Sequence, residues 1–472
     1  MSSLRIAVLG AGMGGLSASL ALARAGHDVT LIERDEFPVG EPLDSPAWPR
    51  GGIPHFLQPH AFIPRGRKEM RETFPDVFEA LIEAGAYDLD VRPKIQGPAK
   101  PGDEDFAYLA ARRPVIEWAL RRAVLAEQGI RVFSGVQATG FEGRAGETPR
   151  ITGVLTTAGP VPANLVVDAM GRRTPAGAWI HALGGQPAEA RTTDCGILYY
   201  GRYYRVRPGE KLPDGPWVLG PRGDLGYANF VTFPGDNGTF AGVLAIAPHD
   251  RELKAFRHTA AFEAATAAIP SLHSWTNSDV ADPITDVLPM GSLQNTIRGR
   301  AGARPAAIGV IGVGDTICHT DPAMALGLTF SLLHARALAG ALRDNPTDME
   351  SAALAFDAAA RPDMEARFQF SSEMDESRSR MWAGESVDYR RRDGGNYALF
   401  TVAAGTAAAM LDGDVFRRVV ARNSMLEPLG VLDADGAMLS KIEELFGAMI
   451  ARGGPRPGPT RAEMLALVRA AS

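Results

Sequence analysis

Cysteine is scarce in this chain: 472 residues contain only Cys195 and Cys318, with no CxxC pair. That excludes a disulfide scaffold and a cysteine-rich metal site, and it fits a reducing compartment. A surplus of one charge is also missing. The 49 basic and 55 acidic residues leave a net −6, with both signs spread along the chain, whereas a nucleic-acid surface favours a basic patch or stripe. No apolar run approaches the ~18 residues of a membrane span; the stretch 16–23 contains serines and stops at Arg24. Only Met1-Ser2-Ser3 precedes the first apolar segment, too little for the charged region, apolar core and cleavage site of a secretory signal. A cytoplasmic location is therefore expected. Internal repeats and low-complexity blocks are absent as well.

What is present reads as a globular chain. Hydrophobic residues make up 45% and charged residues 22%, close to folded averages, and the length suggests two to four domains at roughly 100–200 residues each. Residues 4–9 form a short apolar run of buried-strand type, 16–25 have helical spacing closed by Gly26, and 29–32 are β-branched, which together read as a βαβ unit on a parallel sheet. Residues 35–66 are rich in proline and glycine, and an irregular stretch of that length is usually functional. Helices are expected at 67–84 and 115–128, and strands at 130–133 and 165–168. Aromatic and β-branched runs at 197–200, 227–233 and 239–247, separated by turns, predict an antiparallel sheet. A buried strand at 306–313, a helix at about 323–342 and a helical remainder complete the pattern.

The strongest local signal is Gly10-Ala11-Gly12-Met13-Gly14-Gly15 between that first strand and helix, with Glu33 closing the next strand. This context makes GxGxxG a dinucleotide fingerprint. Gly10 permits the turn, Gly12 admits a pyrophosphate, Gly15 lets helix and strand close, and the helix N–H groups face the anion. Glu33 suits a ribose diol and would repel a 2′-phosphate.

A second motif, Gly314-Asp315 at the end of a strand, followed by Pro322 and Gly327 at the start of a helix, resembles the second fingerprint of the group A flavoprotein monooxygenases, the para-hydroxybenzoate hydroxylase-like FAD proteins. Arg113, opening a helix, resembles the family's FAD-contacting arginine; Asp168-Ala169-Met170-Gly171 resembles its Asp-Gly motif; Glu33-Arg34 matches its acidic-basic pair. The family has Gly-x-Gly where this chain has Ala325-Leu326-Gly327. Within the family the chain is most similar to bacterial flavin epoxidases of polyketide and isoprenoid biosynthesis, through the 168–171 variant and the stretch Arg50-Gly51-Gly52-Ile53-Pro54-His55-Phe56-Leu57-Gln58-Pro59-His60.

The resemblance implies an α/β fold: a Rossmann-type, GR2-like FAD-binding domain on a parallel sheet (1–190 and 300–343), an inserted, mostly antiparallel substrate domain (191–299), and a helical C-terminal region (344–472). It implies FAD as cofactor, held by Gly10, Gly12, Gly14, Gly15, Glu33, Arg34, Arg113, Asp168, Asp315, Pro322 and Gly327. NADH or NADPH would supply electrons directly or through a flavin reductase. O2 would give one oxygen atom, through a flavin C4a-hydroperoxide, to an apolar or aromatic small molecule, by epoxidation or hydroxylation. His60 and His319 are the candidate catalytic groups, with His55 nearby; each reads more readily as a hydrogen-bonded structural histidine. Tyr199, Tyr200, Tyr203, Tyr204, Tyr227, Phe230 and Phe233 are candidates for a pocket or for plain core. The amphipathic segment 440–450 is expected to pack on the core. A geranylgeranyl reductase-type oxidoreductase and a non-catalytic dinucleotide-binding protein are the alternatives. A flavin halogenase is disfavoured, because the Trp-x-Trp-x-Ile-Pro motif of that group is absent: the tryptophans at 48, 118, 179, 217, 275 and 382 never stand two apart. No metal site is expected.

Overall fold

Strand Arg5–Leu9 buries Ile6, Ala7, Val8 and Leu9, which places it at the centre of a sheet covered on both faces. A computed structural model describes residues 3–53, 55–213, 219–388, 390, 392, 396–453 and 456–471. Pro54 of the loop motif and Trp217 lie outside the described residues. The central sheet is five-stranded and wholly parallel, in the order Val310–Gly312, Leu165–Asp168, Arg5–Leu9, Asp28–Glu33, Ile130–Ser134. Helices Met13–Arg24 and Gly327–Asp344 pack against each other within the same core as this sheet.

The second large sheet is antiparallel. Its order is Arg222–Asp224, Ala228–Pro234, Thr239–Ile246, Leu198–Val206, Ala281–Pro283, with Leu288–Met290 also paired to Leu198–Val206. Alternation along these strands divides the aromatic residues between two faces. Tyr200, Tyr204, Tyr227 and Phe230 enter a core with helices Thr259–Ala267, Pro270–Thr276 and Arg461–Ala471. Tyr199, Tyr203 and Phe233 lie on the opposite face with Ala241, Val243 and Ala245. Four of the seven aromatics thus join the core on one face of the sheet and three the core on the other.

Several boundaries differ from those expected. The helix anticipated at 67–84 is two helices, Pro64–Thr73 and Pro75–Glu83, broken where Phe74 adopts φ −133°, ψ 61°, because a residue before proline disfavours the helical region. The strand at 306–313 is shorter: Gly309 at φ +86° bends the chain, and Ile308 bridges Arg150 instead. The helix expected from about 323 begins at Gly327, after a 3-10 turn Pro322–Met324 and a left-handed Ala325 at φ +52°. A hairpin sheet, Ala138–Arg144, Arg150–Thr156 and Gly159–Pro162, and the helices inside the second sheet's sequence were not anticipated. The penultimate helix among the described residues, Gly436–Arg452, packs Leu439, Ile442 and Phe446 into the main core.

Candidate functional site

The first strand turns into its helix through Gly10 at φ +93°, and a Cβ on Gly15 would stand 1.8 Å from the Gly10 carbonyl oxygen. Only glycine permits this approach. Gly12 is the N-cap of Met13–Arg24; no side chain caps that helix, and its first turn has no acidic residue. Its leading N–H groups therefore have no side-chain acceptor, the arrangement an anion occupies. A Cβ on Gly14 would meet Val313 at 3.6 Å, so the two fingerprints adjoin.

Arg113 reaches this turn from the start of helix Arg113–Ala126. Its Nε donates to Glu117 at 2.9 Å and its Nη1 stands 2.7 Å from His55 Nε2 and 3.5 Å from His60 Nε2. A Cβ on Gly12 would lie 3.7 Å from its Nη2, so that nitrogen faces the position a pyrophosphate would take. His60 Nδ1 donates to the Gln58 carbonyl at 2.7 Å, leaving Nε2 as an acceptor. Burial, reinforced by Arg113, lowers the His60 pKa to about 3 and holds that of His55 well below its usual value. Both are neutral near pH 7 and serve as acceptors for the arginine.

The 35–60 loop straps across this region. Arg50 is buried, donates to the Ala11 carbonyl at 3.1 Å and to Asp35 at 3.1 Å, and lies 3.4 Å from Glu33. Glu33 accepts from the Ala11 N–H at 2.7 Å and from the Asp35 N–H at 2.9 Å. The carboxylate thus holds the glycine-rich turn and the end of its strand. Arg34 is exposed beside Asp35 and Gly52.

Asp168 points into its own turn, accepting from the Met170 N–H at 3.0 Å and the Thr174 hydroxyl at 2.6 Å. Both oxygens take part in shaping residues 169–174. Asp315 is half-buried, and a Cβ on Gly327 would lie 3.7 Å from its carboxylate, so the two ends of the second fingerprint lie together. Pro322 and Gly327 are exposed, and the helix that Gly327 opens has neither a side-chain cap nor an acidic first turn. His319 is half-buried on strand Cys318–His319, with no hydrogen-bond partner at Nδ1. Burial lowers its pKa, opposed by Asp315 and assisted by Arg298 and Arg172. Arg172 also acts on His55, so both histidines lie within its electrostatic reach.

Some residues of the site were not anticipated. His334, from the middle of helix Gly327–Asp344, accepts from the Gly314 N–H at 2.9 Å and fixes the second fingerprint at φ +59°. Glu117 is fully buried between Arg50, Arg113 and Arg121. The Arg113–Glu117 spacing of four on a helix is the sequence signal for Glu117; His334 has no comparable signal. Across the cleft, Gln58 donates to the Leu288 carbonyl at 3.2 Å, and a Cβ on Gly201 would stand 3.5 Å from the Gln58 side chain. The small-residue face of the antiparallel sheet therefore meets the strap.

A glycine-cradled anion position, an arginine aimed at it and two uncapped helix starts fit a flavin dinucleotide. The fold is shared with solved flavin-dependent enzymes. The family model for FAD dependent oxidoreductases (DAO) matches residues 5–118. The chain is similar to Protein Rv3254 of Mycobacterium tuberculosis, 27% identical over 385 residues that span 73% of this chain and 74% of that protein. It is also similar to flavin-dependent halogenase armH3 of Armillaria mellea, 27% identical over 269 residues, 54% of this chain and 49% of that one. Among solved structures, PqsL of Pseudomonas aeruginosa superposes with a TM-score of 0.58 at 14% identity, covering 81% of this chain and 99% of that one. Flavin-dependent brominase Bmp2 gives a TM-score of 0.58 at 15% identity, covering 96% and 99%. These structural likenesses establish a shared fold. No helix among the described residues is long and apolar enough to cross a membrane.

Proposed function

We propose that the protein is an FAD-dependent monooxygenase that inserts one oxygen atom into an apolar or aromatic metabolite, by epoxidation or hydroxylation. One observation supports this reading: Gln58, from the loop that also carries His55 and His60 beside Arg113, meets Leu288 and Gly201 on the apolar sheet face of Ala241, Val243, Ala245, Tyr203 and Phe233. An apolar face of this kind suits such a substrate.

When bound, FAD would supply the reaction with O2 and the transferable oxygen. Gly10, Gly12, Gly14 and Gly15 would take its pyrophosphate with Arg113 as counter-charge, Glu33 and Arg34 its adenosine ribose, and Asp315 its ribityl chain. Pro322 and Gly327 would lie against the ring, where the uncapped helix start favours negative charge. Asp168 would act through its turn. NADH or NADPH would reduce the flavin directly or through a separate reductase.

His60 is neutral across the working pH range, so its role is to hold Arg113. His319, with an unpartnered Nδ1, is better placed to hold or move a proton. His60→Gln, which retains an acceptor, is expected to change turnover by less than about threefold, with no inflection from this residue in the rate profile between pH 5 and 9. His319→Gln should cost more. Loss of turnover in His60→Gln would make that histidine essential and reverse the assignment.

The test of the function is the visible spectrum of the purified protein before and after FAD, then NAD(P)H in air. A bound flavin that bleaches and reoxidises supports a self-sufficient monooxygenase. Bound flavin that does not bleach points to a partner reductase. Substrate turnover without matching O2 uptake moves the reading to a geranylgeranyl reductase-type enzyme, and a halide-dependent product moves it to halogenation, the activity named for two of the similar proteins. Failure to bind FAD overturns it.

A further inference from the structure

Beneath the turn that opens helix Gly327–Asp344 lies a buried polar cluster for which the cofactor cleft has no use. Asp321, 1% exposed, accepts from the Tyr199 hydroxyl at 2.6 Å, from Arg378 Nη1 at 3.1 Å and from the Ala323 N–H at 2.9 Å. Arg378 also donates to the Cys195 carbonyl at 2.6 Å and stands 2.8 Å from Asp375. Asn295 donates to Asp375 at 2.8 Å, while its own side-chain oxygen accepts from the Asp321 N–H at 2.8 Å and from Ser371 at 2.8 Å. Four separate pieces of chain meet here: the antiparallel sheet at Tyr199, the strand Gln294–Arg298 at Asn295, the turn at Asp321, and the long helix Met349–Trp382 at Asp375 and Arg378.

We propose that Asp321, Asp375 and Arg378 form a clasp that positions the turn Pro322–Met324, and with it the exposed start of helix Gly327–Asp344, against the substrate sheet. The proposal rests on the reading that this turn lies against a flavin. Asp321 caps the turn through Ala323, and the turn ends in an alanine at φ +52°, a conformation that non-glycine residues hold only when their surroundings impose it. Tyr199 ties the same carboxylate to the sheet face that would carry substrate.

The charges require a proton within the cluster. Two carboxylates and one guanidinium are buried together, and an uncompensated buried charge is costly. Burial and the nearby Asp321 raise the Asp375 pKa to about 8. For Asp321, burial acts upward, but Arg378 prevails and holds it below the usual range. Asp321 is thus ionised and Asp375 protonated near pH 7, leaving the cluster neutral. The other titratable groups facing it are Tyr199 and Cys195, both pushed upward by burial first and by Asp321 next, and Asp224, which senses Arg378. Ligand atoms of Cys195, Asp321 and Asp375 lie within 4.8 Å of one another, but Arg378 already supplies the cation there and the thiol stays protonated, so a metal ion is not called for.

Between the carboxylate value of about 4 in an unfolded chain and about 8 in the folded one, the native state holds a proton that the unfolded state has lost. Stability from this site therefore falls as pH rises through that interval and levels off above it. The experiment follows thermal unfolding of the apoprotein and its titration with FAD from pH 6 to 9.5, in wild type, Asp375→Asn, Asp321→Asn and Tyr199→Phe. Wild type should lose stability as pH rises towards 8, and its FAD affinity should drop about tenfold once Asp375 ionises, one pKa unit's worth of interaction. Asp375→Asn, whose amide N–H replaces the bound proton, should bind FAD within about threefold of wild type at pH 6 and lose the alkaline decline. Asp321→Asn should weaken FAD binding about tenfold at every pH; if it fails to fold, Tyr199→Phe, lacking one hydroxyl, should show a smaller loss in the same direction. Asp375→Asn that keeps the wild-type decline, or Asp321→Asn or Tyr199→Phe that binds FAD as wild type does, overturns the clasp. If wild type binds no FAD at any pH, the flavin reading falls, and the pH dependence of apoprotein unfolding still decides whether the clasp exists.

Discussion

Replacing Gly15 with alanine is expected to destabilise the protein by about 3 kcal/mol or more, at the upper end of overpacking costs, whereas Gly12→Ala should leave the apoprotein folded. The added Cβ at residue 15 falls 1.8 Å from the Gly10 carbonyl oxygen. That oxygen is backbone and cannot swing aside, because Gly10 is fixed by its own N–H bond to the Ile32 carbonyl at 2.8 Å and by a positive φ. Helix Met13–Arg24 would have to lift off the sheet, and its contact with helix Gly327–Asp344 would go with it. At residue 12 the nearest atoms to a new Cβ are 3.7 Å away, on Arg113 and Ile53. Nothing in the apoprotein resists the methyl group there, but it occupies the space between the turn and the arginine. FAD affinity should fall on the order of a hundredfold, about 2.7 kcal/mol. Urea unfolding of both variants, with FAD titration of Gly12→Ala, separates the two roles. Equal stability losses would show that the two glycines do the same structural job.

That contrast was partly legible in the sequence, since the spacing of the fingerprint assigns Gly12 to a pyrophosphate and Gly15 to packing. The parallel strands were legible for a related reason: a strand buried on both faces is a short unbroken apolar run, and Leu165–Asp168 matches its expected limits. The break at Phe74–Pro75 was also written in the chain, because proline marks a helix start, but the helical spacing on either side masked it. The faces of the antiparallel sheet were not legible. Tyr199 and Tyr200 have the same chemistry, and only the helices that cover one face decide which core each tyrosine joins. The buried ionic groups were hidden for another reason. Arg378 stands 57 residues from Asp321, and a charged residue whose partner is distant in sequence looks like any solvated one. Ala325 was noticed as a departure from glycine, but its left-handed conformation follows from the Asp321 cap and the turn it closes.

The same blindness hid the anchor on which the second large effect depends. Asp236 sits in the turn between strands Ala228–Pro234 and Thr239–Ile246, and the sequence there, Pro234-Gly235-Asp236-Asn237-Gly238, reads simply as a turn. In the structure Asp236 is fully buried against Arg112, which donates to it from Nη2 at 2.7 Å, from Nε at 3.0 Å and from its backbone N–H at 2.9 Å. Next to it, Asn237 donates to the Ala84 carbonyl at 2.7 Å. The tip of the antiparallel sheet is thereby bolted to the residue that precedes Arg113. Asp236→Ala should destabilise the protein by about 3–5 kcal/mol, the range for a buried pair left with one charge. Because Arg112 and Arg113 are consecutive, a displaced Arg112 shifts the guanidinium aimed at Gly12, and FAD affinity should fall as well. Pairing the change with Arg112→Met removes the stranded charge and should recover much of the stability, since apolar replacement of a buried pair is often close to neutral. Arg113 would still lack its anchor, so FAD binding should stay weakened in the double variant. Denaturant midpoints and FAD titrations of the single and double variants resolve these two effects. Recovery of both together would mean that the pair contributes stability alone and leaves Arg113 where it was.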